Sequence, residues 1–329
     1  MVRGGGPDLR AAGADLKDGR RVYVVFNPAS GRGRGARRIA AYRSLLEARL
    51  PGVEFGVTTR PGEERDLAER ALEAGVDVLV AVGGDGTWSN VADRVVACGR
   101  PDVAFGMLPS GTGNDFARNL GFDLSDPREA VRVLAEGKTR LVDVGRVDTP
   151  SASEHAPDRI EPRHFLNLVG FGFDVAVVDA AVGARFLRGE LLYKVTALQQ
   201  LFRFPGLRLC IRSADGASRD VRHLMLTVSN GRYFGGGFPI APDARVDDGR
   251  LHACSILDAG PLTRLRLFNL AEKGRHTTSE RVQIMDDVAF RLSFDVPPRF
   301  EMDGDIRQAS STDLEVRVLP GALRVVAPG

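Results

Sequence analysis

A chain of 329 residues with 43% hydrophobic and 27% charged side chains is long enough for two domains and can bury a sizeable core. Its formal net charge of +2 is too small to drive nucleic-acid binding by bulk electrostatics. Cys98, Cys210 and Cys254 lie far apart and form no CxxC pair, which argues against a disulfide framework or a thiolate zinc site and predicts a reduced, cytoplasmic setting.

Met1 to Gly19 is rich in Gly, Asp and Arg, lacks an apolar h-region, and is expected to be a disordered lead-in covering residues 1–20. No run approaches the roughly 20 apolar residues of a membrane-spanning helix. From Arg21 to about residue 145 strands alternate with helices. Val22–Phe26 is a β-prone run ending in Asn27-Pro28, and a helix follows with Ile39, Tyr42, Leu45, Leu46 and Leu50 on one face. Val53–Thr58, Val76–Val82 and Ala104–Leu108 read as further strands; Glu63–Ala74, Trp88–Cys98, Asp115–Leu120 and Pro127–Glu136 read as helices. This order predicts parallel βαβ units with helices on both faces of a sheet.

The character changes near Val142. Residues 146–329 carry short alternating segments at Arg163–Val169, Leu207–Arg212, His223–Ser229, Arg250–Leu257, Val288–Phe294, Leu314–Val318 and Leu323–Val326, which predict an antiparallel β-sandwich or barrel-like domain. Thr149–Pro162 reads as a surface loop. One helical segment interrupts the β half, with apolar residues from Phe186 to Phe204 between Arg185, Arg188, Lys194 and Arg203. Packing on the sheet is the simpler expectation for it; a wall at a lipid entrance or a helix resting on a membrane is the alternative.

Chemistry gathers at the strand ends. Gly83-Gly84-Asp85-Gly86-Thr87 follows a buried strand, so its backbone N–H groups can meet an anion with no Cβ in the way, and the next residues can start a helix whose N-terminus favours phosphate. Asp85 suits Mg²⁺ or a hydroxyl better than bare phosphate. Asn27-Pro28-Ala29-Ser30-Gly31 and Pro109-Ser110-Gly111-Thr112-Gly113-Asn114-Asp115 occupy the ends of two other strands. Singly, each could be an ordinary turn with Ser30 or Asn114 as a helix cap; together they predict one donor-lined crevice at the carboxyl edge of the sheet. Gly137-Lys138-Thr139 is not a Walker A loop, because Arg132 stands where the first Gly belongs, and Gly137 reads as a helix C-cap.

In the second half, Asp247-Asp248-Gly249 is either a hairpin turn or part of a site for a hard cation. Glu301-Met302-Asp303-Gly304-Asp305 is either a solvent-facing hairpin or a turn that holds paired acids. His155, His164, His223, His252 and His276 show no ligand spacing and no GxSxG occurs, which removes support for zinc or serine hydrolysis.

Taken in order, the Asn27–Gly31, Gly83–Thr87, Leu108–Arg118, Pro242–Gly249 and Asp303–Asp305 segments resemble the diacylglycerol kinase catalytic-domain family, which includes bacterial lipid kinases and sphingosine kinases and is distantly related to NAD kinases. The resemblance runs from about Arg21 to Pro328. It implies an α/β nucleotide domain over 21–145 and a β-sandwich lipid domain over 146–329, with ATP in the cleft between them. It places Asn27, Pro28, Ala29, Ser30, Gly31, Thr59, Gly83, Gly84, Asp85, Gly86, Thr87, Ser110, Gly111 and Thr112 around ATP. Asp85, Asn114 and Asp115 would form a polar network organising Mg²⁺. Asp248, with the carbonyls of Arg245 and Arg250, matches a structural Mg²⁺ site, Asp305 stands at a further metal position, and Asp303 matches the general base.

Two departures stand out: Asn90 where the family often has Glu, and Asp305 where it has the Glu of Asp-Gly-Glu. The implied activity is Mg²⁺- and ATP-dependent phosphorylation of diacylglycerol or a similar lipid by a protein in peripheral contact with the inner face of a membrane. The alternatives are a kinase of a sphingoid base or another amphiphilic alcohol, or a nucleotide-binding regulator with weak catalysis. Arg32, Arg34, Arg37 and Arg38 could meet anionic headgroups or stand on a solvated helix face. No nucleic-acid partner is expected, and a homodimer is left open.

Overall fold

The computed structural model describes residues 19–124, 126–148, 163–183, 190–214, 216 and 218–329. The expected lead-in, apart from Gly19 and Arg20, and the Thr149–Pro162 loop lie outside these residues. In chain order the elements are β1 (Val22–Phe26), α1 (Arg34–Arg49), β2 (Glu54–Val57), α2 (Glu63–Glu73), β3 (Val78–Gly83), α3 (Asp85–Ala97), β4 (Ala104–Pro109), α4 (Asp115–Asn119), α5 (Pro127–Glu136) and β5 (Thr139–Asp148). They continue with β6 (Arg163–Phe165), β7 (Leu168–Gly172), α6 (Phe173–Gly183), α7 (Glu190–Arg203), β8 (Leu207–Ser213), β9 (Ser218–Ser229), β10 (Leu251–Leu257) and α8 (Pro261–Glu272). The last are β11 (Val282–Asp287), β12 (Ala289–Phe294), β13 (Arg299–Met302), β14 (Asp305–Gln308) and β15 (Asp313–Val326).

The chain forms two compact units. One holds the residues up to Gly111 together with Leu120–Asp143 and Gly321–Gly329; the other holds Thr112–Asn119 and Val144–Pro320.

In the first unit β2, β1, β3 and β4 lie side by side and parallel, and Arg324 and Val325 at the tip of β15 run parallel to Ala104 and Phe105 of β4. Every residue of β3 and β4 is buried, as befits central strands covered on both faces. Helix α1 packs with α5 and α2 with α3, so the alternating pattern gives the layered α/β arrangement expected. Trp88 on α3 is fully buried and its indole donates to the Ala81 carbonyl at 3.1 Å, which seats α3 on the strand that precedes it. Gly137 ends α5 at φ 68° with its N–H on the Val133 carbonyl, as a C-cap does.

The second unit is an antiparallel, sandwich-like β structure. Its strands run β14-β13-β7-β9-β8-β12-β15, with β10 paired to β9 and β11, and β6 to β5. Alternation along β7, β9 and β10 feeds two cores. Val169, Phe171, Leu226, Val228, Leu251 and Ala253 join one; Leu168, Met225, Cys254 and Ile256 join the other.

Several boundaries differ from those read in sequence. Of the apolar stretch read as one helix over 186–204, Glu190–Arg203 forms α7, which the separate α6 precedes; residues 184–189 lie outside the described residues. Leu314–Val318 and Leu323–Val326 form one strand, since Pro320 and Gly321 are accommodated inside β15. Helix α8 was not expected, although Gly260 at its N-cap and Pro261 at its first position are ordinary start signals.

Candidate functional site

In the first unit the three turns meet at the ends of β1, β3 and β4. Asn27 donates its side-chain amide to Thr87 Oγ1 at 2.9 Å, and the hydroxyls of Ser30 and Ser110 lie 2.6 Å apart. The Gly83 carbonyl accepts the N–H groups of Ser110, at 2.8 Å, and Gly111, at 3.1 Å. A Cβ on Gly84 would lie 3.1 Å from the Gly111 Cα, and one on Gly83 would lie 2.4 Å from the Thr87 Cβ, so the glycines are required by close approach. From α1, Arg38 and Tyr42 each donate at 2.8 Å to the Pro109 carbonyl, and burial pushes the Tyr42 hydroxyl up to about 12. The side chains of Arg32, Arg34 and Arg37 lie outside those described.

The donor set is narrower than three glycine-bearing turns suggest. The N–H groups of Ala29 and Ser30 are held by Asn27, and those of Ser110 and Gly111 by Gly83. The first turn of α3 adds donors of its own, since helix geometry gives the N–H groups of Gly86 and Thr87, its second and third residues, no carbonyl one turn back. Pro28 and Gly31 shape the Asn27 turn, with Gly31 at φ 58°. Thr59 lies exposed beyond the end of β2 and donates both its N–H and its hydroxyl, at 2.5 and 2.8 Å, to Glu63 at the start of α2.

Thr112, Asn114 and Asp115 belong to the second unit. Asn114 adopts φ 53° just before α4, and Asp115 accepts the Gly236 N–H at 2.8 Å. Burial holds the Asp115 carboxyl above its usual range, against the lowering effect of Gly236, Arg118 and Gly237. Its Oδ1 is buried without a hydrogen-bond partner among the described residues and lies 3.7 Å from Arg118 Nε, which leaves it room to accept a hard cation as well.

The Asp303-Gly304 pair forms the two-residue link between β13 and β14, at φ 48° and 95°. The turn does not face solvent: Asp303 is 4% exposed. Its Oδ2 accepts the Leu166 N–H at 2.6 Å, and its Oδ1 accepts those of Asn167 and Leu168 at 2.9 and 3.0 Å. Asn167 in turn accepts from Asn119 at 2.9 Å, and Asn119 accepts the Arg232 N–H at the same distance. The α4 segment carrying Asp115 is thus linked through amides to the loop that grips Asp303. Asp305 is half exposed and lies 3.6 Å from Arg307.

Asp248 stands apart, accepting the Arg250 N–H at 3.0 Å and facing His252 at 3.5 Å. The side chains of Arg245 and Arg250 pair with Asp247 and Asp286; an arginine side chain carries no oxygen, so these two residues could meet a cation through their backbone carbonyls alone. No group of three His, Cys, Asp or Glu side chains among the described residues has metal-ligand geometry.

Sequence reasoning missed Asn119, Asn167 and Asp174, and it named Glu301 only as one of the acids around the Asp303-Gly304 turn, with no role of its own. Glu301 alternates with Phe300 and Met302 and so reads as a solvent-facing strand position; it is 3% exposed because both faces of β13 are covered. Asp174, at 4% exposed, opens α6 directly after the glycine-ended β7, a signal for a crowded strand end.

The motifs follow the order that the resemblance required, and comparison with known proteins decides the family. The Diacylglycerol kinase catalytic domain matches residues 21–147, and the YegS C-terminal NAD kinase beta sandwich-like domain matches 167–327. A "Diacylglycerol kinase" of Mycobacterium tuberculosis is 30% identical over 94% of this chain and 95% of its own length. The chain belongs to the diacylglycerol kinase catalytic-domain family. A "Probable lipid kinase YegS-like" of Xanthomonas euvesicatoria is 30% identical over 84% of this chain and 87% of its own length. The crystal structure of a diacylglycerol kinase from Bacillus anthracis has the same fold, with a TM-score of 0.70 and 18% identity over 95% of this chain and 98% of that one. Membership in this kinase family accounts for the α/β unit and the antiparallel unit alike. No described helix is long and apolar enough to cross a membrane.

Proposed function

We propose that this chain transfers the γ-phosphoryl group of ATP to the hydroxyl of diacylglycerol or a closely similar lipid. The observation that carries this reading is the inward-facing Asp303, held by three backbone N–H groups in a family of lipid kinases. The first turn of α3 binds phosphate oxygens, and the Asn27–Thr87 and Ser30–Ser110 contacts hold the flanking turns in place. Asp303 takes the acceptor proton as the lipid oxygen bonds to the γ-phosphorus and the bond to ADP breaks. Of the second unit, Asp115 and Asp305 would offer hard oxygen ligands to Mg²⁺, Asp85 of the first unit would offer another, and Asp248 with the Arg245 and Arg250 carbonyls would suit a second, structural ion. When bound, Mg²⁺ neutralises phosphate charge.

The acceptor resides in a bilayer, so the protein docks on a membrane surface. Phe202 on α7 and Leu262 on α8 are 58% and 81% exposed, and Leu198, one turn before Phe202, is 47% exposed. Buried Arg264 joins this region by donating to the Leu201 and Phe204 carbonyls at 2.9 and 2.8 Å. Exposed Arg203, Arg222 and Arg266 give the region a charge suited to anionic lipid.

The test is transfer of radiolabelled phosphate from ATP to a panel of neutral lipids and sphingoid bases, with and without Mg²⁺. Labelled phosphatidate from diacylglycerol, or labelled lysophosphatidate from a monoacylglycerol, supports the proposal. Labelling of sphingoid bases alone moves the acceptor to that class, and ATP binding with no labelled product makes the chain a nucleotide-binding regulator.

A further inference from the structure

Two acids outside the proposed chemistry converge on one missing side chain. The β13–β7 ladder sets Glu301 opposite Gly170, and α6 folds Asp174 back over the same glycine. A Cβ on Gly170 would lie 1.9 Å from Asp174 Oδ2 and 3.4 Å from Glu301 Oε2. Both oxygens of Asp174, and Oε2 of Glu301, are buried with no side-chain hydrogen-bond partner among the described residues, and the nearby backbone N–H groups of Val175 and Asp174 itself offset the burial of Asp174 only in part. The other Glu301 oxygen accepts the N–H of Gly304, in the turn that carries Asp303.

Nothing cationic compensates this pair in the contacts described. Arg299, further along β13, is spent on Asp179 of α6 at 2.5 Å. Across the ladder the neighbours of Gly170 are Thr227 on β9 and, beyond it, Cys254 on β10, whose thiol burial pushes up to about 12 and so keeps neutral. The turn adds Asp303 and Asp305, which are further negative charges. Burial pushes Asp174 up to about 7. Burial, followed by the charge of Asp174, pushes Glu301 well above the usual carboxylate range. Two carboxylates in such surroundings cannot both ionise cheaply, so one proton stays with the pair at neutral pH.

We propose that Asp174 and Glu301 act as one proton-sharing pair in which Glu301 is the positioning residue for the Asp303-Gly304 turn. The inference rests on the role given to Asp303 under the proposed function. Ionising both acids would set like charges against each other beneath the turn, weaken the Glu301–Gly304 contact, and displace Asp303 from the acceptor oxygen.

The experiment compares Glu301→Gln, Glu301→Leu and Asp174→Asn with the unmodified chain. The readouts are thermal stability against pH, exchange of the Gly304 amide, and kcat and KM for lipid phosphorylation. A folded-state carboxyl held at about 7 instead of 3.8 binds a proton that the unfolded chain has released, so stability falls as pH rises through that window. Glu301→Gln and Asp174→Asn are expected to flatten this fall. Glu301→Gln, which keeps an acceptor for Gly304, is expected to hold kcat within about threefold and to lose any decline of kcat on the alkaline side. Glu301→Leu is expected to speed Gly304 exchange and lower kcat, each by roughly tenfold or more, with KM for ATP unchanged.

An undiminished pH slope in both neutral variants overturns proton sharing. Wild-type Gly304 exchange and kcat in Glu301→Leu overturn the positioning role. If Glu301→Leu does not fold, a Glu301→Gln variant that loses kcat as severely as Asp303→Asn overturns it instead. If the unmodified chain phosphorylates no lipid, the proposed function fails while stability and amide exchange still decide the pair.

Discussion

The side-chain amide of Asn90 donates to the carboxylate of Glu64 at 2.9 Å, with both residues buried. Beside it, Arg65 of α2 pairs with Asp93 of α3 at 2.6 Å, so two polar contacts fix α2 against the helix whose first turn faces phosphate. Asn90, one of the two departures noted in the sequence, is therefore a matched partner of Glu64 in this fold. Asn90→Glu would set two carboxylates together in a buried place and is expected to cost about 3 kcal/mol in urea unfolding. Adding Glu64→Gln to that variant should return most of the loss, which a double-mutant cycle measures directly.

Gly84 leaves no slack against Gly111. A methyl group there would meet backbone at 3.1 Å, and the β4 turn would have to shift by a few tenths of an ångström. Gly84→Ala is expected to weaken ATP binding on the order of tenfold in a calorimetric titration, with little change in melting temperature.

Asp303→Asn removes the proton acceptor and also sets an amide donor against one or more of three backbone donors. Lipid phosphorylation should fall about 10²- to 10⁴-fold. Stability should fall by about 1–3 kcal/mol, and the ATP dissociation constant should stay unchanged. A variant that retains near-normal turnover removes Asp303 from the base role.

Phe202→Glu combined with Leu262→Glu exchanges two exposed apolar side chains for charges of the wrong sign for anionic lipid. Sedimentation with phosphatidylglycerol vesicles should weaken on the order of tenfold or more. Phosphorylation of a short-chain, monomeric acceptor should be unaffected, which separates docking from chemistry.

The first unit was largely legible because its elements announce themselves locally. Val78–Gly83 is a continuous apolar run before glycines, and Asp126-Pro127 with Gly137 brackets α5 with standard caps. The Asp303-Gly304 hairpin was legible as a turn, but its inward orientation was not, because the strand Glu301 sits on is covered on both faces only after distant segments fold over it. For the same reason Asp174 passed unnoticed: its partner is Glu301, 127 residues away and across a ladder that sequence spacing does not reveal. The strand-end turns do meet as far as Gly111 of the third, whose residues from Thr112 on fall in the second unit, and the consumption of their N–H groups by Asn27 and Gly83 is a matter of local hydrogen bonds that composition cannot foresee.

The pairing of Arg324 and Val325 with Ala104 and Phe105 has a temporal consequence. As the ribosome extrudes the chain, β4 emerges more than two hundred residues before the strand that covers its open side. Until then an apolar edge stands bare, available to other chains and to chaperones. Removing residues 321–329 should therefore leave β4 with an open edge and the protein prone to aggregation along it.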